Sequence, residues 1–257
     1  MRIIILLLVA LLATPTFADA TSQVLDDAKI ILNSKKDTIK KWEFTPSIVL
    51  VADPARADVT QAKVSEVFSL TPLDAPELTV LAPPVQERLG RFPGDIDFLV
   101  DGVESGTITG QLTIGETVAR GHIFVFSVSD VLAARLMIET HFTRSSTSLD
   151  KRYFDGESGC FYRNYSNAKS ILFGFIFINH DLSAEAYSRC FHEEFYLIMG
   201  LSNDSPNSKH FSFEKQRTLG DRPLDRKLLR ALYDQSIVHG DPVDDVIRVF
   251  ETMLREE

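Results

Sequence analysis

The segment "RCFHEEFYLIMGLSND", residues 189–204, decides how the chain is read. His192 and Glu193 begin the pattern H-E-x-x-H, which sets two histidines one helical turn apart on a zinc ion with a glutamate as base. Tyr196 stands where the second histidine belongs. At about 100° per residue, Cys190, Phe191, Phe195, Ile198, Met199 and Leu201 share one half of a helical wheel. Leu197 falls at the edge of that half, and His192, Glu193 and Tyr196 fall on the other side. Glu194 lands inside the apolar arc, where a carboxylate is costly unless paired, hydrogen-bonded or protonated. Glu194, more than the conspicuous His192, therefore needs a role. Two are open: a structural hydrogen bond or salt bridge, or a general base or ligand facing a cleft.

Outward from this helix, Ser183 is its expected cap and Gly200 its expected end. "SILFGFIFINHD" before it is apolar on both faces and reads as a central strand, and "GCFYRNY" as the strand before that. "PSIVLVAD" (46–53) and "HIFVFSV" (122–128) are further strands. Helical spacing marks residues 22–36, where Val24, Leu25, Ala28, Ile31 and Leu32 recur, and also 55–70, 129–142, 223–236 and 242–257. Residues 71–121 are broken by prolines and glycines, with short strand-like pieces in "ELTVLA", "DIDFLVDG" and "TITGQLTIG". Strands and helices mix without strict alternation, so the expected class is α/β in the wider sense, α+β.

Residues 1–20, "MRIIILLLVALLATPTFADA", have the form of a signal peptide: Arg2, an apolar run from Ile3 to Ala13, then small residues with cleavage expected after Ala18 or Ala20. The division that follows is a leader over 1–20, a helix and strand-rich part over 21–120, and a core with closing helices over 121–257. Removing the leader takes away Arg2 and Asp19, so the net charge stays at -9. An acidic chain without a basic run is unsuited to nucleic acid or anionic lipid, and no later segment has the length of a membrane anchor. With 44% hydrophobic residues and 18 phenylalanines, a substantial core is expected. Cys160 and Cys190 are an even pair in a chain bound for an oxidising compartment and are expected to form a disulfide. Closing that loop is worth roughly 3 to 4 kcal/mol in the chain-entropy view.

Shifting the frame by one residue aligns the helix with the metzincin zinc peptidases, whose pattern is H-E-x-x-H-x-x-G-x-x-H. Counting back from Gly200 puts Glu194 at the catalytic glutamate, Glu193 at the first ligand, Leu197 at the second and Asn203 at the third. The string E-E-x-x-L-x-x-G-L-x-N-D resembles an exported bacterial family, domain-of-unknown-function family 2927, with the pattern E-E-x-x-Q-x-x-G-L-x-N-D. "HFSFEK" with Phe213, and "LDRKLLRALYDQSIVHGD", resemble that family's downstream segments, and Cys190 matches a cysteine before its helix. The resemblance covers residues 120–241. It implies a metzincin-like fold, with a twisted sheet, an active-site helix and a C-terminal helix. The departures lie at the ligands: Leu197 cannot bind zinc, and Phe211 and Phe213 occupy the stretch of the metzincin methionine turn. Zinc wants three nitrogen, sulfur or oxygen ligands and an open fourth position, and Glu193 with Asn203 is a poor set.

Other candidates are His180 after the central strand and His210 after the helix, which with His192 or Glu193 would build an unorthodox site or are plain surface residues. G-x-S-x-G, G-x-G-x-x-G and phosphate-loop patterns are absent. Asn164 and Asn203 lie in N-x-S sequons, which matter only in a glycosylating host. The reading is therefore a periplasmic or secreted protein that needs no cofactor and binds a peptide or envelope partner without cleaving it. Two alternatives stand beside it: a metallopeptidase with noncanonical ligands, zinc, and Glu194 as general base, and a structural envelope protein.

Overall fold

A computed structural model describes residues 17–32, 37–76, 78–81, 98–99, 111–114, 117–118, 121–127, 159–166, 170–205, 208–214, 217–218 and 222–256. Most of the expected leader, residues 33–36 of the expected first helix and the whole expected helix at 129–142 lie outside these residues. Five strands form a mixed sheet: β1 (Ser47–Ala52), β2 (Leu78–Leu81), β6 (His122–Ser127), β7 (Cys160–Ser166) and β8 (Ile171–Ile178), in the order β2-β1-β6-β8-β7. The first four in that order run parallel, and β7 pairs antiparallel with β8. Short strands β3 (Phe98–Leu99), β4 (Gln111–Ile114) and β5 (Thr117–Val118) make a separate antiparallel meander, and β9 (Phe213–Glu214) pairs with β10 (Arg217–Thr218). Among the described residues there are five α-helices: α1 (Phe17–Leu32), α2 (Ala57–Phe68), α3 (Ala184–Ile198), α4 (Pro223–Leu232) and α5 (Val243–Arg255). The class is α+β, as the mixed pattern implies. β8 is interior and buried along its whole length, but the middle place belongs to β6, because β7 adds at the edge beyond β8.

The pleat divides the sheet's side chains between two layers. Ile48, Leu50, Ala52, Ile123, Val125, Ile176 and Ile178 join the apolar stripes of the helices in one core cluster. Those stripes keep helical spacing: Val24, Ala28 and Ile31 on α1, Val64, Val67 and Phe68 on α2, Val243, Val246, Ile247 and Phe250 on α5. The other face carries phenylalanines in register, Phe124 opposite Phe175 and Phe177 between Phe126 and Phe161, with ring centroids 5.6, 5.2 and 4.7 Å apart. Cross-strand aromatic pairs of this kind add about 0.5–1.5 kcal/mol each beyond their burial.

Helix α3 lies beneath β7 and β8, beside α2. Gly174 of β8 admits it: a Cβ there would fall 2.4 Å from Ile198 Cδ1. Ser183 caps the start, its hydroxyl accepting the Ala186 N–H at 3.2 Å. At the other end every carbonyl of the last turn finds a donor. Leu201 N–H reaches Tyr196 O at 3.3 Å and Gly200 N–H reaches Leu197 O at 3.0 Å, the paired bonds of a Schellman closure. Trp42 Nε1 then donates to Ile198 O at 3.1 Å, and the Tyr233 hydroxyl to Met199 O at 2.9 Å. Buried Lys41 does the same for α4, donating to Leu232 O and Ile237 O at 3.2 and 2.7 Å; burial lowers its pKa against the pull of Asp241 and Asp234.

Cys160, at the start of β7, and Cys190, in the second turn of α3, form a disulfide with Cα atoms 5.8 Å apart, tying the edge strand to the helix. Gly200 ends α3 at φ +122°, and a Cβ there would fall 2.4 Å from Lys40 O, a backbone atom that cannot yield. Gly200→Ala is therefore expected to destabilise the protein by on the order of 3 kcal/mol, measured by urea denaturation. A shift below about 0.5 kcal/mol would show that the turn is not held as described.

Candidate functional site

From Cys190 to Leu201 no residue of α3 is exposed. His192, Glu193 and Tyr196, on the far side of the wheel from the apolar arc, do not face water: they are 2%, 7% and 0% exposed. The stretch after α3 and the start of α4 pack over that side and supply a polar centre that residue spacing does not reveal. Asp225, fully buried, accepts the Ser212 N–H at 3.0 Å, the Ser212 hydroxyl at 2.5 Å and the Arg222 N–H at 3.1 Å. His192 Nε2 meets the same carboxyl at 3.2 Å, and the His192 ring lies 4.5 Å from that of Tyr196. Serine, histidine and aspartate are thus together, but both the hydroxyl and the imidazole bond to the carboxyl. A nucleophilic triad runs instead from serine to histidine to aspartate. The network joins α3 to α4. The sign of it in the sequence is Asp225 two residues after Pro223, a helix-start signature that says nothing about His192.

Glu194 lies on the opposite side of the helix, 7% exposed, beneath the edge strand β7 and not beneath the central strand, because α3 runs under β7 and β8. The Tyr162 backbone N–H acts on its carboxyl, and the Tyr162 hydroxyl donates to Ser202 O at 2.6 Å. Burial pushes the Glu194 pKa well above the usual carboxylate range, the nearby charges of Glu193 and Asp204 push it further, and the Tyr162 N–H opposes them. The Tyr162 hydroxyl is likewise raised by burial and by Glu194 and Asp204.

The remaining positions of the zinc pattern are occupied otherwise. Leu197, 4% exposed, belongs to the apolar core. Asn203 closes α1: its backbone N–H donates to Ile31 O at 3.1 Å and its side-chain Nδ2 to Ile30 O at 3.2 Å. Beside it the Ser205 hydroxyl donates to Asp27 Oδ1 at 2.7 Å. His180 follows β8, before the cap of α3, and the nine residues from Ser183 to His192 carry the helix about 13 Å along its axis, so His180 does not join His192 or Glu193. The His210 N–H is bonded to Ser208 Oγ at 3.3 Å in the stretch after α3. Among the described residues no three His, Cys, Asp or Glu side chains converge as a metal site requires. A zinc ion does not fit this donor set: one position is a hydrocarbon and another spends its amide on a helix end.

Two outcomes follow. Asp225→Ala removes the acceptor of four donors in a buried site and is expected to cost about 3–5 kcal/mol in a urea denaturation, whereas an exposed carboxyl would cost little. The second concerns pH. The folded protein holds the Glu194 proton more tightly than the unfolded chain, whose glutamates titrate near 4.3. The associated stability is complete below about pH 4 and is lost as pH rises through the folded-state value. Glutamine cannot ionise, so the stability of Glu194→Gln relative to wild type should increase steadily above about pH 5, and Glu194→Leu should show the same trend with pH. A pH-independent difference between the glutamine variant and wild type would contradict this placement of Glu194.

No curated protein and no solved structure matches the chain. The profile of one family, described as Protein of unknown function (DUF2927), matches residues 82–252, about two thirds of the chain. The match begins before and ends after the span over which the motifs are legible, and it includes Tyr162, His192, Glu194, Ser212 and Asp225. The chain belongs to the family of proteins of unknown function DUF2927.

Proposed function

We propose that the protein is exported to the periplasm or secreted, and that a degenerate metzincin-like domain in it binds an extended peptide segment of an envelope partner along β7, beside α3, without hydrolysing it. The observation that carries this reading is the commitment of the old ligand positions: Leu197 is core and the Asn203 amide is a helix cap. The mixed sheet, the helix beneath it and the closing helices are the parts that the metzincin resemblance calls for, and they support it. Export is supported by the leader-like residues 1–20 and by the disulfide. Among the described residues no helix is long and apolar enough to cross a membrane. The edge strand is half-buried from Phe161 to Asn164, and among the described residues its ladder is with β8 alone. Strand addition at such an edge draws affinity from main-chain bonds and selectivity from alternate side chains.

Panning a phage-displayed library of short linear peptides on the folded protein tests the reading. Binders should survive recovery uncleaved and lose binding to an Asn164→Pro variant, since proline removes an edge donor without breaking the ladder to β8. Metal content is measured on the same preparation, and far less than one equivalent of zinc is expected when none is added. Stoichiometric zinc that disappears in Glu193→Ala, with cleavage of the peptides, would overturn the reading in favour of a metallopeptidase. A library that enriches nothing sensitive to Asn164→Pro would favour a structural envelope protein.

A further inference from the structure

Strands β2, β1, β6 and β8 run parallel, so their carboxyl ends share one end of the sheet. From β1 the chain turns to β2 on one side, and from β6 it goes to β7 and β8 on the other. The order therefore reverses between β1 and β6, and at such a reversal open parallel sheets take ligands outside the strand ends. Ser127 closes β6 at that place, paired with Ala52 of β1 and one residue past the Phe126–Phe177 pair with β8. Ile123 and Val125 join the core beneath the helices, whereas Phe124 and Phe126 stack on the other face. Alternation along the strand thus turns the Ser127 side chain toward the helices.

Ser127 is 0% exposed, and its hydroxyl has no hydrogen-bond partner among the described residues. A buried hydroxyl without a bond is costly, and a fold that keeps one calls for an explanation. A second such atom lies at the same end of the sheet: the buried Nδ1 of His180, two residues past the end of β8. Arg56, the residue before α2, joins the loop after β1 to the loop after β8. Its Nη2 donates to Leu182 O at 2.7 Å and to His180 O at 3.5 Å. Its guanidinium lies 4.7 Å from the centre of the Tyr187 ring, and the Tyr187 hydroxyl is bonded to Thr60 Oγ1 at 2.9 Å. The cation is thus held by the first turn of α3 and by the loop before it, and only one of its nitrogens is spent there.

We propose that this end of the sheet binds a small oxyanion, a phosphate or carboxylate group, on Ser127, His180 and Arg56. The hydroxyl and the imidazole offer donors to an oxygen and the guanidinium offers charge, whereas a cation would be repelled by Arg56. Of the acidic residues there, Asp53 is committed to its own turn, with Oδ1 accepting the Ala55 N–H at 2.9 Å. Residues 53–55 and Asp181 are exposed, so solvent reaches both loops that flank Ser127. The site shares no residue with β7 or with the zinc-like positions of α3, and it is independent of the peptide reading.

The test titrates the wild-type chain with sodium phosphate and, separately, with sodium acetate, against sodium chloride at equal ionic strength. The Ser127 amide and the His180 imidazole are followed by NMR, and thermal unfolding is recorded alongside. Saturable shifts of both groups are expected with phosphate, with acetate or with both, and none with chloride. The anion that saturates at the lower concentration identifies the source of the oxyanion. Ser127→Ala should weaken the binding about tenfold. The same variant should be as stable as wild type without anion, because no described residue bonds the hydroxyl it removes. His180→Ala should weaken the binding as well. Shifts that chloride reproduces, or that never saturate, overturn the proposal. Equal affinity in Ser127→Ala also overturns it, and so does an anion-free Ser127→Ala chain that loses stability, which would show the hydroxyl bonded within the fold.

Discussion

The constraint on which the rest of the structure depends is that α3 is closed off from water on every side from Cys190 onward. A buried helix cannot leave polar groups to solvent, and each unmet donor or acceptor would cost about 1–3 kcal/mol. The surrounding chain meets several of them. Trp42 and Tyr233, 191 residues apart in the chain and bonded to each other, receive the carbonyls of Ile198 and Met199. The Asp225 carboxyl receives both His192 and Ser212. The segments before β1 and after α4 are in turn bound to each other, with Ile39 N–H donating to Asp241 O at 2.9 Å and Gly240 N–H to Ile39 O at 3.1 Å. One helix therefore sets the positions of elements as distant in sequence as Trp42 and Tyr233.

The same accounting bears on chemistry. A hydrolytic zinc site needs lone pairs from three side chains aimed at one point and a base beside it. Here the side chains that stand in those positions point to different tasks: apolar packing for Leu197, a helix end for Asn203, a strand edge for Glu194. None of this follows from composition; it follows from where α1 and β7 lie relative to α3. The acidic pair Glu193 and Glu194 keeps the look of an active site in the sequence. Buried, and next to Glu193 and Asp204, Glu194 is driven toward the neutral acid.

What was legible in the sequence was local. The uninterrupted apolar run of β8, the Ser183 cap and Gly200 stop of α3, and the burial of Glu194 all follow from periodicity and from what glycine and serine do to a backbone. The disulfide followed from counting cysteines. What was not legible required tertiary neighbours. A helical wheel sorts residues by angle and assumes that the polar side meets water, so it missed that His192 and Tyr196 are as buried as Phe191. Asp225 lies 33 residues beyond His192, and nothing in its local sequence tells that its carboxyl serves α3 as well as its own helix start. The apolar character of β8 predicts a central strand, but a strand buried on both faces stands one place from the edge when a half-polar strand such as β7 pairs beside it.

Asn203 shows why the departure from a metal-binding motif is built into the fold and not confined to one residue. The carbonyls at the end of α1 point at the stretch after α3, and Asn203 supplies two donors there, backbone N–H and Nδ2, to Ile31 O and Ile30 O. The hydroxyl of Ser205 adds a third bond to the same helix through Asp27, and Lys29 of α1 pairs with Asp244 of α5 at 3.0 Å. A histidine at 203 would keep the backbone donor but could not offer an amide donor in the same place while giving a nitrogen lone pair to a metal. A histidine at 197 would put a polar ring where 4% exposure and apolar neighbours leave it no water. Building a zinc site at these positions would therefore loosen the docking of α1 and unsettle the core around Leu197 at once. Stability of the fold and absence of the ligands are coupled through the same two positions.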